Sequence, residues 1–326
     1  MALIDMAQIE KVAGRLRELR GIGAPLNFYS HKVNGNEVVE KDMYPPLDGE
    51  YAIDFFFFTV LQQYGFWYDD GTKYTSPITG RIDGVYYKGS DLLFRIAMRT
   101  YKENPILLTP RCLAHIENRD FISRFFTDDV GVLPFPDLDK RFLLTREYGK
   151  WFMDNGTTPE GVLILAHLDE SPLEGFLKSM RMISGYDTDA LEKKNNLLAM
   201  IMTNRPEEFL ARSDDDVWIP IIDYHLMRVA LRLGLVRLTE KERKANEARE
   251  FVDAHVERTI RDAVFAAIVR LIDQSGHTMF AVDEVLWNAR RYCPETEKPE
   301  CGQCIFKRQC KQDIELFQPV FRTMAY

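Results

Sequence analysis

The chain lacks any run of 18 apolar residues, and no secretory hydrophobic region follows its start. The first absence excludes a conventional membrane-spanning helix, and the second leaves a soluble cytoplasmic protein as the expectation. A glycine-rich phosphate loop and a βαβ rhythm are also missing, which sets aside P-loop and Rossmann enzymes. There is no internal repeat and no low-complexity tract. Positive charge is in short supply, with 42 Lys and Arg against 50 Asp and Glu and a net charge of -8. A general nucleic-acid binder needs a basic footprint to neutralise phosphates, so DNA is the less favoured partner, although a local basic groove is not excluded. A small ligand fits the charge balance better. Cysteine is scarce and uneven: of five, Cys112 stands alone and Cys293, Cys301, Cys304 and Cys310 cluster near the end. An odd count in one tight cluster argues against a secreted disulfide framework and for metal in a reducing compartment.

What the chain does have is apolar and aromatic weight. The 326 residues are 46% hydrophobic, with 21 Phe, 14 Tyr and 4 Trp. That supports a sizeable core in one large domain or two ordinary ones. Helical spacing dominates, so the expected class is mainly α with a few short strands. Ile9, Val12, Leu16 and Leu19 mark a first amphipathic helix. Residues 21–50, with Gly21, Gly23, Pro25, Gly35, Pro45, Pro46 and Gly49, read as loops with short extended pieces. The strongest apolar block, residues 50–68, is crossed in part by a helix. Phe66 and Trp67 follow Gly65 and precede Asp69–Asp70–Gly71, so they are candidates for a cavity rim where an aromatic pair stacks on a planar ligand.

Further along, Tyr86–Tyr87 is a short strand. Ser90–Asp91 are expected to cap a helix over Leu92–Tyr101, whose other side carries Arg95 and Arg99. Pro110 opens the next helix after Thr109. Helices are expected at Phe121–Phe126, Leu138–Trp151, Leu173–Ile183, Ala190–Thr203 and Glu207–Ala211, while Val162–Leu165 returns to the core. Glu240–Ile272 reads as one long helical region and Val282–Tyr292 as a final helix. Asp283 and Trp287, one turn apart, read as a structural pair packed against the core. Three consecutive regions are expected: a mostly helical part with an aromatic ligand wall over 1–160, a helical part over 161–292, and a cysteine loop with its tail over 293–326.

One carboxylate stands out. In Trp218–Ile219–Pro220–Ile221–Ile222–Asp223–Tyr224–His225–Leu226–Met227–Arg228–Val229, an apolar run is interrupted by Asp223 where a helical pattern begins. Leu226, Val229, Ala230 and Leu233 recur at helix spacing, and Gly234 suits the C-cap. Asp223 is either a helix N-cap or a carboxylate in an apolar pocket suited to acid–base or cation-stabilising chemistry. Tyr224 can pack beside a base, and Arg95, Arg99 or Arg228 can meet a 5′-phosphate through charge-assisted hydrogen bonds or else form ordinary salt bridges.

The cysteines carry the most specific resemblance. Gaps of seven, two and five residues separate Cys293, Cys301, Cys304 and Cys310, and thiolates suit zinc or iron–sulfur centres. The loop resembles the 4Fe-4S loop of the endonuclease III/MutY branch of helix-hairpin-helix DNA glycosylases, whose first gap is usually six. The resemblance implies a structural 4Fe-4S cluster on these four cysteines, with zinc as the alternative. Ile222–Val229 with Arg232–Leu235 resembles the segment that holds the catalytic aspartate in that group, and Asp223 takes its place. The glycine-rich hairpin usual just upstream is absent, as is the lysine of the bifunctional enzymes, which counts against a lyase acting on duplex DNA.

A second resemblance spans about residues 50–292. Gly65–Phe66–Trp67, Lys88–Leu93, Leu108–Thr109, Phe125–Phe126 with Val132–Pro134, Asp223–Tyr224 with Arg228–Val229, and Asp283 with Leu286–Trp287 are similar to segments of the queuosine-salvage family. That family hydrolyses queuosine 5′-phosphate to queuine on a DNA-glycosylase-like helical fold. The resemblance implies N-glycosidic bond hydrolysis of a modified nucleotide or nucleoside, with Asp223 stabilising an oxocarbenium-like state and orienting water. Phe66, Trp67, Tyr224, Arg95, Arg99 and Arg228 are the expected substrate-binding residues. The cysteine loop departs from that family. A monofunctional DNA base-excision glycosylase and a noncatalytic nucleotide-binding protein are the alternatives.

Overall fold

The computed structural model describes residues 2–20, 22, 26–33 and 36–326. The loop reading at Gly21, Gly23, Pro25 and Gly35 lies outside them. In the first half, the described chain forms β1 (Leu3–Ile4), α1 (Met6–Glu18), β2 (Ser30–Val33), β3 (Asn36–Val39), α2 (Ala52–Leu61), β4 (Trp67–Asp69), β5 (Tyr74–Pro77), β6 (Thr79–Ile82), β7 (Val85–Lys88), α3 (Gly89–Glu103), α4 (Pro110–Ala114), α5 (Asp120–Phe126) and α6 (Leu138–Asp154). It continues with α7 (Pro159–Ala166), α8 (Pro172–Met180), α9 (Lys193–Asn204), α10 (Tyr224–Leu233), β8 (Val236–Arg237), α11 (Glu240–Glu247), α12 (Ala254–Ser275) and α13 (Met279–Ala289). The fold is mainly α, and its strands form small antiparallel pairs such as β1–β8, β2–β3 and β6–β7.

The chain divides into two compact units that are discontinuous in sequence. One comprises residues 1–25, 69–76 and 218–322, and the other residues 26–68, 77–217 and 323–326. These units cross the boundaries expected at 160 and 292. We call them the cysteine-loop unit and the aromatic unit.

The aromatic unit is built around α2, which is apolar apart from Asp54 in its first turn and Thr59. Phe55, Phe56, Phe57 and Phe58 are fully buried, as expected of a helix with no polar face. Their rings meet neighbours edge to face, Phe58 on Phe125 with centroids 5.2 Å apart and Phe57 on Phe176 at 6.1 Å. A helix this enclosed cannot leave its last carbonyls to water. Cations take them instead: Lys194 Nζ donates to the Leu61 carbonyl at 2.7 Å, and Arg141 donates to the carbonyls of Gln62 at 3.1 Å and Tyr64 at 2.7 Å. Positive charge at a helix C-terminus also complements the peptide dipoles. Helices α4 and α6 pack closely because position 149 is glycine; an added Cβ there would overlap the Ala114 backbone nitrogen.

In the cysteine-loop unit, α12 is the axis. Ile260, Val264, Ala267, Ile268 and Leu271 form its buried stripe. Helix α1 packs on it through Ile9, Val12, Ala13 and Leu16, all fully buried. Gln8 Nε2 donates to the carbonyls of Leu233 at 2.7 Å and Gln309 at 2.6 Å, which ties the start of the chain to the end of α10 and to the cysteine loop.

Several local expectations need correction. The Glu240–Ile272 region is two helices, α11 and α12, parted at 248–253, where Arg249 adopts a left-handed φ of 58° and Asp253 recaps the chain by accepting from Val256 N. Helix α3 begins at Gly89 rather than Leu92, so Ser90 and Asp91 lie in its first turn. Glu207–Ala211 is not helical, because the Leu210 N–H returns to the Met202 carbonyl and closes the end of α9. Ile164 and Leu165 are 58% and 56% exposed; α7 buries Val162, Leu163 and Ala166 instead.

Candidate functional site

The residues preceding α10 touch both α13 and α12. Trp218 packs on Phe280 with ring centroids 4.6 Å apart. The carbonyl of Ile222 accepts a hydrogen bond from Arg261 Nη2 at 3.1 Å, from α12. That pins the backbone next to Asp223. Asp223 itself has extended φ and ψ of -106° and -179° and is the N-cap of α10, accepting from the Leu226 N–H at 2.8 Å. The cap reading is therefore correct, and it does not compete with a chemical role. A helix N-terminus offers N–H dipoles that favour a carboxylate, and the residue stays half-buried rather than enclosed. Gly234 closes the helix with φ of 81°.

Asp223 lies close enough to Asp283 on α13 for its charge to act on it. Asp283 is pushed up to about 8, by burial first and then by the charges of Asp223 and Glu284. The residue keeps partial exposure, but its Oδ1 is buried and has no hydrogen-bond partner. Two neighbouring carboxyl groups in different surroundings, one at a helix N-terminus and one desolvated, separate naturally into an ionised and a protonated member. One turn after Asp283, Trp287 carries the Arg290 guanidinium over its ring.

Of the expected substrate-binding residues, Tyr224 and Arg228 share α10 with Asp223. Tyr224 lies against His225 with ring centroids 4.1 Å apart, and burial followed by the charges of Asp223 and Glu295 holds its phenol well above the ordinary range. Arg228 was expected to meet a 5′-phosphate or else to form an ordinary salt bridge. It is fully buried, donates to Gln318 Oε1 at 3.1 Å, meets His225 Nδ1 at 3.0 Å and lies 3.6 Å from Glu295 Oε1. Those contacts make it an internal tie of the cysteine-loop unit.

Phe66, Trp67, Arg95 and Arg99 belong to the aromatic unit. Both rings are 4% exposed, and Phe66 meets Phe135 edge to face at 6.2 Å. Arg95 and Arg99 line a cavity of about 220 Å³ with Lys102 and Asp42. Arg99 is largely engaged, donating to the carbonyls of Phe125 at 3.1 Å and Thr127 at 2.7 Å, and Arg95 lies over Tyr87 at 4.1 Å. A second cavity of about 650 Å³ in this unit is bordered by Asp54, Glu160 and Arg111, and burial pushes Asp54 up to about 7.

The four clustered cysteines follow α13 in three turns. The Glu300 N–H reaches back to the Tyr292 carbonyl at 2.8 Å, closing the first gap, and the Cys310 N–H bonds the Phe306 carbonyl at 2.8 Å. All four cysteines are half-buried, and burial first, helped by the other three thiols, raises Cys310 to about 11. Arg232 Nη1 is 3.3 Å from Cys293 Sγ, and the Gln312 N–H is 3.2 Å from Cys310 Sγ. The donor chemistry suits a soft metal centre, with N–H groups already directed at sulfur. Among the described residues, however, no three His, Cys, Asp or Glu side chains converge as a metal-holding group in this conformation.

No protein-family model matches the chain, and no curated protein matches it. The functional reading therefore stands on these side chains and on the sequence resemblances. Sequence reasoning reached Asp223 and the cysteines but assigned Asp283 a structural part. Its sixty-residue separation from Asp223 in the chain hides the pairing. Among the described residues, no helix is long and apolar enough to cross a membrane.

Proposed function

We propose that this chain hydrolyses the N-glycosidic bond of a modified nucleotide or nucleoside, with queuosine 5′-phosphate as the leading candidate substrate and queuine as its product. The observation that carries the reading is the anchoring of Asp223. Its carboxylate is held at the N-terminus of α10 by the Leu226 N–H, and the preceding carbonyl is clamped by Arg261. Cleavage of an N-glycosidic bond builds positive charge on the ribose ring. A carboxylate fixed in advance stabilises that charge without reorganising and can orient the attacking water. On this reading Tyr224, which follows Asp223 at the start of α10, borders the base.

Cys293, Cys301, Cys304 and Cys310 would hold a structural 4Fe-4S cluster, or zinc in its place, by turning their thiols inward. The cluster has no part in the bond cleavage. A net charge of -8 gives no support to the alternative of a monofunctional DNA base-excision glycosylase. The test is incubation of the purified protein with a panel of modified nucleotides, with chromatographic detection of free base. Release by the wild type, lowered by a factor on the order of 10² or more in Asp223→Asn, is the expected result. Intact binding of a nucleotide with no base released would overturn the reading and favour a noncatalytic binding protein.

A further inference from the structure

We propose that Asp283 is a second catalytic carboxylate, the proton donor that allows a neutral heterocycle to leave, an assignment that rests on the N-glycoside reading of Asp223. Helices α10 and α13 pack together and bring the two acids into one neighbourhood. Asp283 Oδ1 is buried with no hydrogen-bond partner. Folded proteins rarely leave a buried carboxylate oxygen unmet, and such exceptions call for a reason, catalysis among them. Asp223, by contrast, has its Oδ1 met by the Leu226 N–H.

The division of labour follows from the surroundings. Asp223 has a backbone donor and the helix N-terminus in its favour, so it is the member that carries the charge. Asp283 sits on α13 with no donor to Oδ1, within reach of the Asp223 charge at the start of the neighbouring α10 and next to Glu284 on its own helix. Burial first, and then the negative charges of Asp223 and Glu284, favour its protonated form and push it up to about 8. A carboxylic acid that keeps its proton at neutral pH beside an ionised partner is the pairing used for general acid catalysis elsewhere.

The step balances as follows. The C1′–N bond breaks heterolytically and its electron pair passes to the ring nitrogen, which takes the Asp283 proton. Asp223 stays ionised and stabilises the ribosyl cation. Water attacks C1′ and gives its proton to the Asp283 carboxylate, restoring the starting state. The products are the free base with an N–H and the ribose with a new hydroxyl. A proton donor is needed only where the departing base is neutral and a poor leaving group. The site is therefore matched to neutral, purine-like bases rather than to bases that are already cationic in the nucleotide.

The experiment compares wild type, Asp283→Asn and Asp223→Asn on queuosine 5′-phosphate and on 4-nitrophenyl riboside 5′-phosphate, whose leaving group needs no proton. With queuosine 5′-phosphate, Asp283→Asn should lower kcat by about 10²–10⁴-fold with little change in KM. The wild-type loss of activity at alkaline pH should vanish from what remains. With the nitrophenyl compound, Asp283→Asn should stay within a few-fold of wild type while Asp223→Asn loses activity. Asp283→Glu should recover part of the rate on queuosine 5′-phosphate.

Equal slowing of both substrates in Asp283→Asn would overturn the proposal and leave Asp283 as a support for Asp223. So would unchanged base release. In either case the role of Asp223 would stand. Absence of base release from every substrate in the wild type would instead remove the N-glycoside reading and this assignment with it.

Discussion

At neutral pH the fold keeps a proton on Asp283 that the unfolded chain releases, and this has a measurable cost. The carboxyl is raised from 3.8 to about 8 in the folded protein. A group with a raised folded pKa binds more protons folded than unfolded between those two values, so its contribution makes stability fall as pH rises through that window and level off above it. Each tenfold change in proton affinity is worth about 1.4 kcal/mol. Allowing for the partial exposure of the residue, the cost should grow by about 2–4 kcal/mol between pH 5 and pH 8. Asparagine keeps the shape of the side chain and has no such titration. Urea unfolding of wild type and Asp283→Asn at the two pH values should show the variant gaining on the wild type by that amount at the higher pH. A stability gap that stays constant across the window would refute the reasoning, because it would mean Asp283 is not held protonated by its surroundings.

Other expectations follow from the same contacts. Asn caps helices about as well as Asp, so Asp223→Asn should abolish turnover while changing stability little, whereas Asp223→Ala should also cost about 1 kcal/mol in a thermal melt. Arg141→Met removes the donor to the Gln62 and Tyr64 carbonyls, both buried. It should destabilise the protein by about 3–5 kcal/mol in urea unfolding, and a loss below 1 kcal/mol would mean that water replaces the guanidinium. Protein purified without air should carry iron and sulfide, or zinc, bound through the four clustered cysteines. Elemental analysis should show the loss of that metal in Cys301→Ser and Cys304→Ser, and metal retained in both would contradict the assignment.

How much of this was legible in the sequence depended on the range of the interaction. The cap at Asp223, the stop at Gly234 and the Thr109–Pro110 helix start are local chemistry, and each is where the spacing put it. The apolar stripe of α12 was visible because burial on one side leaves a period of 3.6. Helix α7 shows the limit of that rule. Val162 to Ala166 are apolar on all sides, so composition did not reveal that Ile164 and Leu165 face outward. Lys193, Lys194, Asn195 and Asn196 lie in a segment expected to be helical, and nothing in their polarity shows that all four are at most 5% exposed. Lys194 is there because α2 ends in a buried place and its Leu61 carbonyl needs a donor from another helix. Nothing near Lys194 in sequence announces that need. The pairing of Asp283 with Asp223 is hidden in the same way. The acid is ordinary in its own helix, and only the packing of α10 on α13 gives it a neighbour.

The most direct test of the central claim is a single-turnover assay of free base released from queuosine 5′-phosphate by wild type and by Asp223→Asn. Release by the wild type and none from a folded, substrate-binding Asp223→Asn protein is the result the account predicts. Equal release from both proteins would contradict it.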